Sequence, residues 1–175
     1  MDAKDIRVWP WARGYAEAQV GPATVLFSTT RTDQREKIFK WVGPITETKV
    51  VVLVNKSNPN TSLDSLVNNS KKSIAVVRDD IGEQRLAVKM PNARVIKLST
   101  PDQAAKMLIS GRVAGWAYEE NVAYWMMEKQ GAYRDDFKPI ETLISGELYF
   151  ALSPDVPDTQ IEAMNNAVLE AKKAN

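Results

Sequence analysis

Ser73-Ile74-Ala75-Val76-Val77-Arg78-Asp79-Asp80-Ile81-Gly82-Glu83-Gln84 decides the class of fold. Ser73 to Val77 is a short apolar run rich in β-branched side chains, the composition of a buried strand. Asp80 followed three residues later by Glu83 is a capping-box arrangement, which predicts a helix from there to about Met90. A buried strand leading directly into a helix is the unit of α/β construction, so mostly parallel strands are expected.

The alternation extends in both directions. Further strands are predicted at Ile6 to Trp9, Ala23 to Phe27, Val50 to Val54, Ala93 to Leu98, Ala114 to Tyr118 and Glu147 to Leu152. Helices are predicted from Pro10 to Val20, with Pro in the first turn and Gly21 just past the end, and from Ser62 to Val67 behind a Ser cap. Thr100, Pro101 and Gln103 form a second capping-box arrangement and open a helix to Ile109. Glu119 to Gln130, closed by Gly131, and the amphipathic Pro157 to Lys173 complete the set. The polar stretch Asn55 to Ser62 reads as a loop and not as a flexible linker, so any second lobe must be joined by strands.

Composition narrows the function. The 175 residues are 44% apolar and 26% charged, and 23 Lys plus Arg against 22 Asp plus Glu leave a net charge of +1. Without a basic block, a nucleic-acid or anionic-membrane partner is not expected, which leaves small neutral or zwitterionic molecules. With no Cys and no His there is no thiolate nucleophile, disulfide, imidazole base or ordinary zinc site, so neither a metal nor a cofactor is expected. The opening MDAKDIRVWPWAR lacks the apolar stretch of a secretory signal, so the chain is either cytosolic or the product of leader removal.

The segment most suggestive of chemistry is Phe27-Ser28-Thr29-Thr30-Arg31-Thr32-Asp33-Gln34-Arg35-Glu36, a hydroxyl-dense loop leaving a strand and carrying two arginines. An arginine fork matches a carboxylate with two parallel hydrogen bonds, and hydroxyls with backbone amides complete an anion site without a metal. On composition alone the same residues describe a solvated turn. Between the two arginines, Arg35 precedes Glu36 and the apolar Ile38 and Phe39 and is anchored at the loop's end, whereas Arg31 lies in its middle with solvent as the expected partner.

The order of segments resembles one family, the bacterial periplasmic amino-acid-binding proteins of ABC transporters (solute-binding protein family 3). The resemblance runs over nearly the whole chain. It rests on Pro10-Trp11-Ala12-Arg13, then Gly21 and the Ala23 to Phe27 strand, then Thr30 to Glu36 followed by Phe39-Lys40-Trp41-Val42-Gly43-Pro44-Ile45. Ile74 to Gln84, Gly111-Arg112-Val113, Trp116-Ala117-Tyr118-Glu119 and Tyr149-Phe150-Ala151-Leu152-Ser153 follow in family order.

The resemblance implies a periplasmic-binding-protein-like α/β fold of two lobes joined by two hinge strands and closing on an amino acid or related carboxylate between them. Lobe I would comprise residues 1–47 and 147–175, lobe II residues 48–146, with hinges near Thr46 to Lys49 and Glu141 to Glu147. Lobe I would be incomplete, lacking the family's opening strand-helix-strand ahead of Ile6. Apolar surface around Val25, Phe27 and Trp9 would then be uncovered, and a homo-oligomer or segment-swapped dimer is expected.

The resemblance also implies roles. Arg35 would pair with the ligand carboxylate, helped by Ser28 and Thr30, and Glu119 would hold the ammonium. Across the cleft the family commonly offers Gly-Thr-Thr-like residues, where this chain has Asp79, Asp80 and Ile81, with Asp80 also readable as a simple cap. Glu119 is equally readable as a first-turn helix acid, and Trp9, Trp11, Trp116 and Tyr118 as core or ligand shelf. Val122, Trp125 and Met126 read as helix packing. The function implied is non-enzymatic, with no catalytic residue: a periplasmic solute-binding protein partnered with ABC transporter membrane subunits. A receptor-kinase sensor domain uses the same lobes, and a cyclohexadienyl dehydratase-like enzyme, with Glu119 as acid or base, is the alternative of another class.

Overall fold

The computed structural model describes residues 6–58, 62–69 and 71–174. The chain runs α1 (Trp11–Val20), β1 (Val25–Thr30), β2 (Lys40–Asn55), α2 (Leu63–Val67), β3 (Ile74–Val77), α3 (Ile81–Lys89) and β4 (Val95–Leu98). It continues with α4 (Pro101–Ile109), β5 (Gly115–Glu119), α5 (Glu120–Glu128), a 3-10 turn at Arg134–Asp136, β6 (Phe137–Leu152) and α6 (Asp158–Lys173). One six-stranded sheet has the order β1-β6-β2-β5-β3-β4.

Its spine is a ribbon of two 16-residue antiparallel strands, β2 and β6, paired from Lys40↔Leu152 to Asn55↔Phe137. At one end β1 adds antiparallel to β6, from Val25↔Leu152 to Thr30↔Leu148. At the other, β5 adds antiparallel to β2, and β3 pairs parallel with both β5 and β4. Antiparallel pairing thus outweighs parallel pairing, which corrects the expectation of a mostly parallel sheet. The strand-helix units it rested on occupy only the β3–β5 end, while β2 and β6 need no crossover to pair.

Both ribbon strands outrun the sequence prediction, β2 starting ten residues before Val50 and β6 ten before Glu147. The extra length carries half-buried and exposed residues such as Thr46, Glu47 and Ser145, which have no apolar periodicity to reveal a strand. Ile6 to Trp9 is not a strand. No partner edge reaches it, Val8 is 95% exposed, and Trp9 is held by Arg13, whose guanidinium lies 4.5 Å from its ring centroid.

Two clusters bury the β3–β5 end from both faces. Val51, Leu53, Ala75 and Trp116 pack under α4 and α5, while Val52, Val54 and Val76 pack against Leu66 of α2 and Leu86 of α3. Ala123, Tyr124 and Met127 form the core face of α5. Val122 and Trp125 are therefore exposed, which corrects their reading as packing; Trp125 instead lies under Lys129, 4.1 Å from its ring centroid. Smaller clusters, built around Phe39 with Ala18 and around Val42 with Leu152, serve the β1 end. No described helix is long and apolar enough to cross a membrane.

Candidate functional site

Arg35 lies in the turn-rich segment between β1 and β2 and is 1% exposed. Its Nη1 donates to the Thr30 carbonyl at 3.2 Å and its Nη2 to Gln84 Oε1 at 3.3 Å. The guanidinium sits 5.6 Å from the ring centroid of Trp11 and 5.1 Å from that of Tyr15, residues one turn apart on α1. Nε has no hydrogen-bond partner, and no carboxylate lies within ion-pair distance among the described residues. Burial lowers the Arg35 pKa, opposed by Tyr15 and Asp80. A buried guanidinium without an anion is costly, because the charge has left water without a partner of opposite sign.

Arg31, four residues earlier, is satisfied. Its Nε and Nη2 fork onto Glu36 at 2.8 and 2.5 Å, and the fork lies over Trp41 and Tyr149. That hydrogen-bonded pairing raises the Arg31 pKa and lowers that of Glu36. The partner of Arg31 is thus Glu36 and not solvent, which corrects the sequence expectation. The i, i+5 spacing closes across the turn because Arg35 N–H and Ile38 N–H bond back to Thr32 and Arg35 carbonyls.

The end of β1 contributes hydroxyls. A bulge at Ser28 shifts the register from Phe27↔Phe150 to Thr29↔Tyr149, leaving Ser28 half-buried and placing both Thr29 and Thr30 in the interior. Thr29, Thr32 and, on β2, Thr48 are buried with unpartnered Oγ1 atoms. Such orphans are uncommon in a folded protein and mark a place where a polar ligand or water belongs.

The opposite wall is the start of α3. Asp80 and Ile81 are buried. The capping box is half-formed: Glu83 Oε2 accepts from the N–H of Asp79, at 2.7 Å, while the Asp80 side chain makes no capping bond. The same shift occurs at α4, where Gln103 accepts from Ser99 N–H and Thr100 caps nothing. Asp80 is therefore not tied up as a cap. Burial pushes its pKa up to about 6 despite the nearby N–H groups of Ile81 and Gly82 and the charge of Arg35. Gly82 explains how the helix start comes so close to β5, since a Cβ there would lie 2.5 Å from the Ala117 carbonyl oxygen.

Two bonds join the walls. Trp11 Nε1 donates to the Asp79 carbonyl at 2.9 Å, and Arg35 donates to Gln84. Asp79 adopts φ +60, and its carbonyl also accepts from Gln84 Nε2 at 3.3 Å. Arg35, Thr30, Trp11, Asp80 and Ile81 are thus brought to one place. Glu119 is engaged differently, its Oε2 accepting from Val122 N–H at 2.7 Å as the cap of α5. Burial raises the Tyr118 pKa, and the nearby negative charges of Asp80 and Glu119 add to the shift. Trp116 belongs to the core, stacked on Tyr118 with ring centroids 5.0 Å apart. Sequence reasoning missed Tyr15 and Gln84. The available signal was spacing: Tyr15 is i+4 from Trp11 and Gln84 is i+4 from Asp80.

Among the described residues no group of His, Cys, Asp and Glu could hold a metal ion. What these residues offer chemically is a buried guanidinium fork between two walls.

These features, a mixed sheet hung on two long antiparallel strands with helices on both faces, define the periplasmic-binding-protein-like α/β fold, and solved structures bear this out. The chain matches an ancestral arginine-binding protein bound to glutamine at 25% identity and TM-score 0.68, over 83% of this chain and 63% of that one. It matches an ancestral amino-acid-binding protein, a precursor of cyclohexadienyl dehydratase, at 21% identity and TM-score 0.68, over 83% and 61%. A histidine kinase sensor domain with similarity to periplasmic binding proteins matches at 15% identity and TM-score 0.79, over 94% and 71%. The chain spans 56% to 64% of the length of the amino-acid-binding structures it matches. No family model and no curated protein matches the sequence. Amino-acid-binding proteins are thus prominent among its structural neighbours, and this chain has their fold.

Proposed function

We propose that the chain is a solute-binding module that closes on an amino acid or similar small carboxylate, with Arg35 as the clamp. The observation that carries this is the buried Arg35 guanidinium, with a free Nε and no carboxylate in ion-pair range among the described residues. An incoming carboxylate supplies the missing charge and acceptors together, and an Arg fork is the donor best matched to it. Lobe I, up to Glu47 and from Glu147 onward, would carry Arg35, Thr30, Ser28 and Trp11. Lobe II, Thr48 to Gly146, would carry Asp80, Ile81 and Glu119. A ligand touching both walls stabilises the closed arrangement only through contacts that the open one lacks.

The role we assign is the extracytoplasmic receptor of an ABC-type uptake system, periplasmic and handing solute to membrane subunits, with no turnover of its own. A second reading is the ligand-sensing domain of a receptor kinase, favoured by the 94% overlap with the kinase sensor domain. A dehydratase remains the reading from another class, and it needs a free acid or base where Glu119 is occupied by its cap.

A thermal-shift screen of amino acids and small carboxylic acids tests the proposal. A true ligand at a hundredfold excess over its dissociation constant stabilises the fold by about 2.7 kcal/mol. Recovery of that ligand unchanged after incubation separates a binder from an enzyme. No shift with any α-carboxylate would remove the proposal, and consumption of prephenate or arogenate would replace it.

A further inference from the structure

The two walls of the site carry opposite buried charges that are not paired with each other. On one, the Arg35 guanidinium is buried with Nε unpartnered. On the other, Asp80 is buried and, like Arg35, makes no ion pair among the described residues. The bonds that join the walls straddle Asp80. Trp11 Nε1 donates to the carbonyl of Asp79, the residue before it, and Arg35 Nη2 donates to Gln84, whose backbone N–H bonds to the Asp80 carbonyl at 3.1 Å. Asp80 thus lies at the seam, and the charges of Asp80 and Arg35 are each felt by the other.

The other acids on this side are engaged or exposed. Glu83 is bridged to Lys97 and accepts from Asp79 N–H, and Asp79 is exposed. Both oxygens of Glu119 are turned to the first turn of α5, Oε2 to Val122 N–H at 2.7 Å and Oε1 to Asn121 Nδ2 at 3.5 Å, although its negative charge is felt at Tyr118 together with that of Asp80. A carboxylate has about four acceptor positions, more than the N–H groups of Ile81 and Gly82 fill at Asp80. A buried carboxylate and a buried guanidinium, each without a counter-charge, both suffer from lost hydration. A zwitterion between them, carboxylate to Arg35 and ammonium to Asp80, gives each its partner and brings no net charge. A hydroxy acid satisfies Arg35 alone and sets an anion beside an unpaired Asp80, with the charge of Glu119 adding to the repulsion.

We propose that Asp80, rather than Glu119, holds the ammonium of the ligand, and that it is the residue by which the site selects amino acids over hydroxy acids of the same skeleton. This rests on the reading of Arg35 as a carboxylate clamp.

Calorimetric titration of the full chain with paired ligands tests it, at about pH 7.5 so that Asp80 is ionised. The pairs are L-alanine with L-lactate, L-leucine with L-2-hydroxyisocaproate, L-phenylalanine with L-phenyllactate and L-glutamate with L-2-hydroxyglutarate, each exchanging an ammonium for a hydroxyl on one skeleton. At least one amino acid is expected to bind about tenfold tighter than its hydroxy acid, a difference set by one charge-assisted hydrogen bond. Asp80→Asn and Asp80→Ser, both competent at a helix start, are expected to cut that preference to about twofold or less, and Asp80→Glu to keep part of it. Glu119→Gln, which loosens the start of α5, is expected to change the affinities of both members of a pair by the same factor, so that their ratio stands. Thermal melts check that the variants fold. Hydroxy acids binding the unaltered chain as tightly as amino acids, a preference that survives Asp80→Asn and Asp80→Ser, or one erased by Glu119→Gln overturns the role of Asp80 and leaves the clamp standing. Absence of binding by every pair, or binding indifferent to Arg35→Ala, overturns both.

Discussion

The two ends of the β2–β6 ribbon are built differently. At the β3–β5 end, Val50 to Val54 are wholly buried, strands lie on both sides of them, and helices cover both faces. At the β1 end the sheet stops at a six-residue edge strand, Phe27 is 66% exposed, and α6 has no buried residue along its whole length. Rigidity and recognition are divided accordingly. The dense end provides a fixed platform, the start of α3 against β5, while the thinner end brings Arg35 and Trp11 to it. Segments with little buried apolar surface open at lower free energy, which would suit this end to the motion that the proposed closure on a ligand requires.

Replacing Trp116 with Ala tests the contrast with the largest expected effect. Trp116 is fully buried between the sheet and α5, so its loss is expected to cost about 3–5 kcal/mol in urea unfolding. Ile161→Ala on α6, where the side chain is half-buried, is expected to cost well under half of that. Equal costs would mean that the two ends share one core.

Asp80 sharpens the comparison through pH. Its pKa is raised in the fold from 3.8 to about 6, so the fold binds its proton more tightly than the unfolded chain does. Stability from this group is therefore fully present below pH 4 and is lost as pH rises through 6, by on the order of 2–3 kcal/mol. Unfolding measured from pH 3.5 to 7.5 is expected to lose that component of its slope in Asp80→Asn. An unchanged slope would show that Asp80 is better solvated or better paired than the structure has it.

Gly82→Ala has the third effect in size. Its Cβ would meet the Ala117 carbonyl, a backbone atom that cannot swing away, so α3 must lift from β5. The expected cost is about 1–3 kcal/mol, with weakened ligand binding because the Asp80 wall moves with the helix. Unaltered stability and affinity would indicate slack between α3 and β5.

Much of the dense end is legible in the sequence. The apolar run at Ile74 to Val77 and the helix that follows are local patterns, and structure follows them closely, with α3 beginning at Ile81 and α4 at Pro101. The ribbon is not legible beyond Val50 to Val54 and Glu147 to Leu152, because Thr46 to Lys49 on one strand and Ser145 and Gly146 on the other lack the apolar alternation that marks a strand. Nor does a mostly parallel sheet survive, since strand order is a long-range property that alternating segments do not encode. In the site, the loop's anchored end marked Arg35, and burial at 1% agrees with that placement. Gln84, Tyr15 and the Trp11-to-Asp79 bond depend on how two distant helices meet, and only the assembled fold brings them together.

The central claim is that Arg35 clamps the ligand carboxylate and that Arg31, already forked on Glu36, does not. Calorimetric titration of Arg35→Ala, Arg35→Lys and Arg31→Ala with the ligand from the screen measures it directly. Arg35→Ala is expected to lose about 2–5 kcal/mol of binding, Arg35→Lys most of the same amount because the fork is gone, and Arg31→Ala little. Binding by Arg35→Ala at the affinity of the unaltered chain, or a greater loss in Arg31→Ala, would contradict the account.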